Sequence, residues 1–523
     1  MPGAHGILPK GRSHVTADQS EVAAFLARPQ THGGVPVERI DTHAAMVFLA
    51  GDLAYKVKRA VDYPYMDFST LARRRAACER EIEINRRTAP QIYLGARPIV
   101  RGADGGLTLN GAGEAVEWAV VMRRFDQAGL FDRLAQAGRL TPALLLRLAD
   151  EVAEFHERAE PVPEQAGELG WVVDENAGEF AERPELFAPD RAERLTAAAR
   201  TALERVAGLL EDRRARGLVR RCHGDLHLRN VCLIDGQPTL FDAIEFNDAI
   251  ACIDVLYDFA FLLMDLDHRG LRPAANQVFN RYLQRSGDLE SLAALPLFLS
   301  LRAAVRAKVS ASAALSQDDA GARRRLEDEA RAYFAAAAAY LAPPPARLVA
   351  VGGLSGSGKS TLGRALAPAL GPAPGALHLR SDVLRKALHG VDELTELPPE
   401  AYRPEVGARV YGELLARARR ALAAGQAVLL DAVYSKPEGR LEVEALARQS
   451  GVAFTGLWLE APSAVLRARA AARRADASDA TPEVVERQLH EDPGTISWHR
   501  IATEGTPERI VSEAQRILAG RTR

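Results

Sequence analysis

Residues 223–230 read HGDLHLRN, a stretch that sets His223, Asp225 and Asn230 at a fixed spacing. Phosphoryl transfer to a hydroxyl needs a carboxylate beside the acceptor oxygen and an amide oxygen on a magnesium ion. Asp225 and Asn230 are five positions apart, so one loop can present both groups to the same phosphate. The stretch therefore predicts a phosphotransferase loop of the kind that two-lobed kinase folds carry.

A second acidic residue supports this interpretation. Asp242 follows Asn230 by twelve positions, at the end of the strand-like run QPTLF. A neighbouring strand end is where such a site needs its second magnesium ligand. A turn-capping aspartate is the alternative, and the preceding loop favours the metal-binding interpretation.

The runs HGDLHLRN, LFDAIEF and IDVLYDFAFLLMDL together resemble the aminoglycoside phosphotransferase family, whose kinase-fold members phosphorylate hydroxyls of small molecules. The resemblance implies that Asp225 is the catalytic base or acceptor-orienting residue. It also implies that Asn230 and Asp242 hold magnesium. Asp254 and Asp258 are expected in the helix after the metal-binding strand, four positions apart on one face, with a structural role.

The resemblance further implies a lysine for the ATP phosphates and a glutamate that holds it. FLAGDLAYKVKR offers Lys56 and Lys58. We prefer Lys56, because it shares a strand face with Ala54, which can then contact adenine. In CEREIEINRR the family pattern points to Glu81, although exposed helix charges would look the same; the competing glutamates are Glu79 and Glu83. No GxGxxG loop precedes Lys56, only Gly51, so the phosphates must be covered differently from those in protein kinases.

A second phosphate-binding motif lies about 130 residues further on. GLSGSGKS, followed by Thr361, fits the Walker A pattern G-x-x-x-x-G-K-[ST], between the strand-like RLVAVGG and a helical run. Glycines allow backbone N–H groups to surround phosphate, the lysine neutralises charge, and the serine reaches magnesium. The residues predicted to bind ATP here are Gly353, Ser355, Gly356, Ser357, Gly358, Lys359, Ser360 and Thr361.

Three acidic or basic residues complete the second candidate site. AVLLDAVY places Asp431 after an apolar run, as expected for the strand-end carboxylate that organises magnesium. LHLRSDVLRKAL places Asp382 and Arg385 near the start of a helix. In P-loop kinases of small substrates such an aspartate binds or deprotonates the acceptor hydroxyl, and Arg385 is suited to hold an anionic group. The alternative is a helix-capping aspartate with an exposed arginine.

The run LRARAAARRADASDAT brings several arginines close to a loop. It resembles the lid of nucleoside-kinase-like P-loop enzymes, and Arg469 and Arg473 are the candidates for stabilising the transferring phosphoryl group. A solvated helix face is the alternative. The C-terminal segment resembles kinases of the zeta-toxin, chloramphenicol-phosphotransferase and polynucleotide-kinase group. The whole chain resembles a bacterial family that fuses an aminoglycoside-phosphotransferase-like domain to a P-loop ATP-binding domain.

The three prolines at 343–345 mark the predicted domain boundary, because they cannot continue the preceding helix. We predict an α+β, protein-kinase-like domain over residues 1–342, with a small lobe at about 36–125 and a helical lobe at about 126–342. Residues 346–523 are predicted to form an α/β P-loop NTPase domain with a parallel sheet. A chain of 523 residues is too long for one ordinary core.

Composition narrows the classes of function. Hydrophobic residues make up 47% and charged residues 26%, the balance of a globular protein. The net charge of -2 argues against general nucleic-acid binding. The start of the chain has no apolar signal-peptide core, and no apolar run approaches the roughly 18 residues of a membrane span. We therefore expect a cytoplasmic protein.

These observations predict a phosphotransferase with two ATP- and Mg2+-dependent kinase domains that act on hydroxyl groups of small molecules. One domain phosphorylating the product of the other would explain the fusion. A first alternative is a single N-terminal kinase regulated by an ATP-binding P-loop domain, although Asp382 and Arg385 would be useless to a mere sensor. A second is a nucleic-acid end kinase, because RSDVLRK also resembles polynucleotide kinases. The sequence identifies neither acceptor and does not indicate an oligomeric state.

Overall fold

The computed structural model describes residues 14–42, 44–63, 65–165, 168–472 and 476–520. The chain divides into two compact units, each drawn from several stretches of sequence. The first takes the residues up to Arg147 with Glu154–Glu168 and Arg213–Asp258, and the second takes Leu148–Ala153, Leu169–Asp212 and everything from Phe259 on. The boundary at the three prolines stays a prediction. Within the described residues, no helix has the length and apolar character that crossing a membrane requires.

The N-terminal part is an antiparallel six-stranded sheet in the order β1-β2-β3-β8-β6-β7, with a separate short β4–β5 pair. Its elements are α1 (Ser20–Ala27), β1 (Val37–Asp41), β2 (Ala45–Ala50), β3 (Leu53–Lys58), β4 (Asp62–Tyr63), β5 (Met66–Asp67), α2 (Leu71–Asn85), β6 (Tyr93–Arg101), β7 (Leu107–Leu109) and β8 (Glu114–Arg123). Val57 packs with Phe48 and Leu26 on the face that α1 covers. Because side chains alternate along a strand, Lys56 and Lys58 of β3 lie on the opposite face, which α2 covers.

Mostly helical structure follows, with two short antiparallel strand pairs within it: the hairpin β10–β11 and the pair β9–β12, whose strands are distant in sequence. The elements are α3 (Phe131–Gln136), α4 (Pro142–Arg158), α5 (Leu169–Ala181), α6 (Pro189–Ala215), β9 (Val219–Arg221), β10 (Val231–Ile234), β11 (Gln237–Leu240), α7 (Asp248–Ala251), β12 (Cys252–Asp254), α8 (Val255–His268), α9 (Arg272–Ser286), α10 (Leu295–Leu315) and α11 (Ala320–Tyr340). HGDLHLRN lies between β9 and β10, and Asp242 comes just after β11. Asp254 ends strand β12, so our expectation that it lies in a helix was wrong; only Asp258 is helical.

The C-terminal part contains a parallel five-stranded sheet in the order β14-β15-β13-β16-β17. Its elements are β13 (Arg347–Gly353), α12 (Lys359–Leu366), β14 (Leu377–Arg380), α13 (Ser381–Leu388), α14 (Pro404–Ala423), β15 (Val428–Asp431), α15 (Pro437–Gln449), β16 (Ala453–Glu460), α16 (Ser463–Ala472), α17 (Pro482–Leu489), β17 (His499–Ala502) and α18 (Pro507–Leu518). The central strands β13 and β15 are buried apolar runs, as parallel strands covered on both faces require. The predicted fold class is confirmed: a kinase-like α+β part followed by an α/β P-loop part.

Candidate active sites

The first candidate site is built around Lys56 on the central strand β3. Its Nζ lies 2.9 Å from Glu81 Oε1 and 2.6 Å from Asp242 Oδ1. Glu81 is fully buried, whereas 42% of the Asp242 side chain is exposed. The ammonium group of Lys56 therefore connects the sheet, helix α2 and the segment after β11. Of its two carboxylate partners, Asp242 is the one that incoming molecules can reach.

The charges in this cluster stabilise one another. Burial disfavours the ammonium of Lys56, but the carboxylates of Asp242 and Glu81 outweigh it and hold the Lys56 pKa well above its ordinary value. Burial likewise disfavours the Glu81 carboxylate, but Lys56 and Lys58 outweigh it, so the pKa of Glu81 is lowered. Lys56 therefore stays cationic and Glu81 anionic at neutral pH.

Lys58, the alternative to Lys56, lies on the same strand face but deeper. Its Nζ is 2.5 Å from Glu81 Oε2, and it also pairs with Glu245. Only 4% of its side chain is exposed, compared with 14% for Lys56. Lys58 thus pairs with the second carboxylate oxygen of Glu81, and Lys56 is the lysine that also pairs with Asp242.

The other two glutamates of α2 point away from this cluster. Glu79 forms an exposed pair with Arg75, and Glu83 one with Arg80. Of the three competing glutamates, only Glu81 meets a lysine of β3. The helical period explains this, because positions 79 and 83 face solvent when position 81 faces the sheet.

The loop HGDLHLRN brings Asp225 and Asn230 into direct contact. Asn230 Nδ2 donates to Asp225 Oδ2 and to the Asp225 carbonyl oxygen, each at 2.9 Å. The Asp225 side chain is 37% exposed, whereas His223 is buried with its Nε2 2.9 Å from the Phe241 carbonyl oxygen. His223 therefore ties the loop to the segment that carries Asp242, and Asp225 faces outward.

Asp258 supports this loop from within the same unit. Its carboxylate accepts hydrogen bonds from the backbone N–H groups of His223 at 3.1 Å and Gly224 at 2.8 Å. His156 Nε2 lies 3.1 Å from the same carboxylate. Asp254 instead forms a buried pair with Arg213 at 2.6 Å. Both aspartates have the structural role that the sequence suggested, although their partners lie too far away in sequence to be predicted.

Two buried residues that sequence reasoning missed fix the conformation around Asp242. Asp242 adopts a left-handed φ of 61°, a conformation that is uncommon for residues other than glycine, although aspartate tolerates it better than most. Its N–H donates to Tyr93 Oη at 3.0 Å, and the next N–H, of Ala243, donates to Asn85 Oδ1 at 2.7 Å. Asn85 is the last residue of helix α2, and the available signal was its position four residues after Glu81, which places both on one face of the helix.

The second candidate site is the loop between β13 and α12. Gly353, Gly356 and Gly358 have φ values of 135°, 83° and 96°, a conformation that other residues rarely adopt. Added Cβ atoms at Gly353 and Gly356 would come within 2.6 Å of backbone oxygens. Lys359 Nζ donates to the carbonyl oxygens of Gly353 and Leu354 at 2.9 and 3.0 Å, so it folds back over the loop.

Asp431 stands at the end of β15, directly beside this loop. Ser360 Oγ donates to Asp431 Oδ2 at 2.6 Å. His378 Nε2 and Arg380 Nε, both from β14, lie 3.5 and 3.6 Å from the same oxygen. Burial disfavours the carboxylate, but these neighbours outweigh it, and the pKa of Asp431 is lowered. Sequence reasoning did not single out His378 and Arg380, although their polar side chains alternate with leucines in LHLR.

Asp382 and Arg385 lie on the first two turns of α13. The N-cap of this helix is Arg380, so Asp382 does not cap it. Burial and then the charge of Asp431 raise the pKa of Asp382. Arg385 is 8% exposed, and its Nη1 donates to the Ala401 carbonyl oxygen at 2.7 Å. The alternative of a capping aspartate with an exposed arginine is therefore not what the structure has.

Arg385 is a buried cation that has no carboxylate within ion-pair distance among the described residues. Its guanidinium carbon lies 4.9 Å from the centre of the Tyr402 ring, and its Nε has no hydrogen-bond partner in the described part of the chain. By contrast, the adjacent Lys386 is neutralised by Asp479 at 2.6 Å. A buried guanidinium that lacks such a partner is suited to an anionic group supplied by a ligand.

Of the two arginines of the predicted lid, the structure describes Arg469. Arg469 lies on α16 and donates to Thr503 Oγ1 at 3.2 Å and to the Thr503 carbonyl oxygen at 2.7 Å, so it is half-buried rather than part of a solvated face. Arg473 lies outside the described residues. In the same region, Gln488 Oε1 accepts a hydrogen bond from the Ser355 N–H at 2.9 Å, which links α17 to the phosphate-binding loop.

Comparisons with known proteins match a separate family model to each of the two parts of the chain that carry a candidate site. The family model described as "Phosphotransferase enzyme family" matches residues 52–295, and the one described as "AAA domain" matches residues 348–491. The uncharacterized protein Rv2004c of Mycobacterium tuberculosis is 32% identical over 490 residues, which are 91% of this chain and 94% of that protein. The uncharacterized protein Mb2027c of Mycobacterium bovis matches with the same identity and coverage.

Solved structures resemble separate parts of the chain. A gluconokinase from Sinorhizobium meliloti 1021 is 25% identical, covering 34% of this chain and 93% of its own, with a TM-score of 0.24. The aminoglycoside phosphotransferase APH(3'')-Id from Streptomyces rimosus is 20% identical, covering 54% of this chain and 98% of its own, with a TM-score of 0.32.

The matched phosphotransferase and P-loop regions define the protein as a kinase. Within that class, the chain belongs to the family of the mycobacterial protein Rv2004c, to which it is similar over nearly the whole length of both. The predicted resemblance to an aminoglycoside-phosphotransferase-like domain followed by a P-loop kinase domain is thereby confirmed.

Proposed function

We propose that the chain is a pair of ATP- and Mg2+-dependent phosphotransferases, each of which transfers a phosphoryl group to a hydroxyl of a small molecule. The observation that carries the proposal is that each candidate site has its own lysine, its own oxygen groups suited to a cation and a further carboxylate, Asp225 at the first site and Asp382 at the second. The first site then belongs to a domain of residues 1–342 and the second to a domain of residues 346–523. Two complete sites are more than a single reaction requires.

The donor atoms at both sites suit magnesium, which prefers carboxylate, amide and hydroxyl oxygens. At the first site these come from Asn230 and Asp242, and at the second from Ser360 and Asp431, whose oxygens are already 2.6 Å apart. When bound, magnesium neutralises charge on the phosphates of ATP. The Asp242 side chain is 42% exposed, which fits a ligand role.

At the first site, Lys56 neutralises phosphate charge, and Glu81 keeps its ammonium group in place. Asp225 orients the acceptor hydroxyl and accepts its proton. The acceptor oxygen then bonds to the γ-phosphorus of ATP as the bond from that phosphorus to the bridging oxygen breaks, which releases ADP. The hydrogen bond from Asn230 keeps the Asp225 carboxylate from rotating away. Since positioning supplies most of the catalysis of phosphoryl transfer, the fixing of this loop by Asp258 belongs to the same mechanism.

At the second site, the N–H groups of the glycine-rich loop and Lys359 hold the phosphates of ATP. Asp382 accepts the proton of the acceptor hydroxyl. Arg469 and Arg473 stabilise the transferring phosphoryl group. Arg385 binds an anionic group of the acceptor, since its buried guanidinium has no carboxylate within ion-pair distance among the described residues. The acceptor of this site is therefore a small molecule that carries both a hydroxyl and an anionic group.

We expect Arg385→Met to raise the KM for such an acceptor by about 10- to 100-fold, because hydrogen bonds to charged groups contribute about 1.5–3 kcal/mol. The KM for ATP should not change. Steady-state kinetics with the acceptor and with ATP varied separately measure both effects. Arg419→Met, an exposed change on α14, is the control. An equal rise in both KM values would contradict specific recognition of the anion.

Turnover at the P-loop site should depend on pH through Asp382. The carboxyl must be ionised to accept a proton, and its pKa is raised above the ordinary value. Activity should therefore be low below that raised pKa and increase as the pH rises through it. The pH profile of kcat, compared between wild type and Asp382→Asn, measures this. If the wild-type kcat does not fall at acidic pH while the protein stays folded, Asp382 is excluded as the base.

The acceptors are identified by measuring ATP consumption with a panel of sugars, sugar acids, nucleosides, aminoglycosides and short oligonucleotides. The same panel is run with one variant that disables each site. Two acceptors that respond to different variants establish a bifunctional kinase. A P-loop variant that merely weakens the first reaction would instead identify the P-loop domain as a regulator, and turnover of oligonucleotides alone would identify an end kinase.

A further inference from the structure

Strand β14 forms one edge of the parallel sheet, and it leads directly into the acceptor side of the second site. Among the strands of the described residues, it pairs with β15 alone. Along a strand the backbone groups alternate between the two edges. Leu377 N donates inward to the Ala427 carbonyl oxygen, so the Ala376 carbonyl and the His378 N–H face the outer edge. An edge of this kind needs a partner to satisfy its hydrogen-bonding groups.

That partner is helix α9, which lies within the stretch matched by the phosphotransferase family model and within the same compact unit as β14. Asn280 Oδ1 accepts from the His378 N–H at 2.6 Å, and Asn280 Nδ2 lies 3.3 Å from the Ala376 carbonyl oxygen. Asn276, which is 4% exposed, donates from Nδ2 to the same oxygen at 3.0 Å. One carboxamide thus occupies the place that a peptide group of a sixth strand would take.

The residue held by Asn280 is also the one that contacts the phosphate-binding machinery. The His378 ring packs on Gly363 of α12, where an added Cβ would come within 2.5 Å of Nε2. The same nitrogen lies 3.5 Å from Asp431 Oδ2. Two positions further along, Arg380 approaches Asp431 and pairs with Asp476 at 3.1 Å. A shift of β14 along its edge would therefore move the groups that surround Asp431.

Helix α9 has a second attachment on the acceptor side. Arg281 Nη1 lies 3.6 Å from Glu393, in the segment that follows α13, while its Nε donates to Asp150 at 2.7 Å. Asn280 and Arg281 are adjacent, so one turn of α9 holds both the strand before Asp382 and the segment after the helix that carries it. These contacts involve buried or half-buried side chains, where hydrogen bonds are costly to lose.

We propose that Asn276 and Asn280 are positioning residues of the P-loop kinase site: through β14 they set the place of the acceptor-binding groups, and the P-loop sheet depends on α9 for this. The proposal rests on the proposed function for its kinetic consequence. It also explains the fusion without requiring that one domain phosphorylate the product of the other. Helix α9, from the region matched by the phosphotransferase family model, completes the edge of the P-loop sheet.

The contact itself is tested by hydrogen exchange on the full-length chain, followed by mass spectrometry of peptides that cover β14. The double variant Asn276→Leu/Asn280→Leu keeps the side-chain size but removes both carboxamides. We expect its β14 amides to exchange at least about tenfold faster than in wild type, since protection reflects the stability of local hydrogen bonds. Gln284→Leu, on the same helix, is the control and should exchange as wild type does.

The positioning role is tested by kinetics at the P-loop site in the Asp225→Ala background, which silences the first site. The double variant should raise the acceptor KM at least fivefold. The KM for ATP should rise by a smaller factor, because the glycine-rich loop and Lys359 hold most of the phosphate contacts, and general loss of folding would not produce this separation. Asn280→Asp keeps the acceptor for the His378 N–H and should recover most of the loss. If the double variant fails to fold, the acceptor KM is compared between the single variants Asn280→Asp and Asn280→Leu instead.

Unchanged exchange in the folded double variant would overturn the contact. Faster exchange with unchanged acceptor kinetics would overturn the positioning role. Failure of the proposed function is distinguishable, because a chain whose turnover never depends on Lys359 has no second kinase reaction. That outcome removes the kinetic role, while the exchange of β14 still shows whether α9 holds the strand.

Discussion

Asp225→Asn should lower kcat of the first reaction by about 10³-fold, within the range that general acid–base groups contribute. The amide keeps the size of the side chain but cannot take up the proton of the acceptor hydroxyl. Since ATP is held elsewhere, by Lys56 and the cation ligands, the KM for ATP should change little. The measurement is single-turnover and steady-state phosphorylation of the acceptor that the panel identifies.

The matched control is Asp235→Asn, in the tight turn between β10 and β11. Asp235 is exposed and has a φ of 49°, a conformation that asparagine also tolerates. This change removes the same charge from the same unit and should leave kcat as it is. A loss in both variants would indicate a general electrostatic effect, and no loss in Asp225→Asn would exclude that carboxylate from the chemistry.

Lys359→Met should lower kcat of the second reaction by about 10²–10³-fold, the cost of removing one group that stabilises transition-state charge. The side chain already lies folded over the loop, bonded to the carbonyl oxygens of Gly353 and Leu354. Its ammonium is thus held at the loop before nucleotide arrives. Methionine preserves most of the stem and removes the charge, so binding of ATP should weaken as well, which titration calorimetry would measure.

Lys436→Met provides the comparison for this variant, because Lys436 is an exposed lysine at the N-terminal end of α15 in the same part of the chain. It should leave both reactions unchanged. The first reaction should also be unaffected by Lys359→Met. Loss of the first reaction in that variant would favour the regulator alternative over two independent kinases.

Much of each site follows from short stretches of sequence. HGDLHLRN carries Asp225 and Asn230 on one loop, and the eight residues from Gly353 to Ser360 form the second loop. In both cases the interacting atoms are close in the chain, so spacing and residue type are enough to predict the geometry. The apolar runs of β13 and β15 similarly predicted a parallel sheet, because buried parallel strands need no polar face.

Sequence left open which lysine of β3 serves the first site, since Lys56 and Lys58 share a strand face. Their surroundings differ only through residues far away: Asp242 beside Lys56 and Glu245 beside Lys58. The choice of Glu81 among three glutamates likewise depends on which face of α2 meets the sheet. Their roles in catalysis stay predictions, which the variants above test.

The residues that support the sites could not be predicted from the sequence for the same reason. Asp258 holds the loop at His223 and Gly224 across more than 30 positions, and Asn280 reaches His378 across 98. The sequence by itself determined the two kinase motifs and the fold of each part, because local spacing and hydrophobic pattern encode them. Only the tertiary structure decided which charges pair, how deeply they are buried and which helix completes the sheet, because those depend on contacts between distant segments.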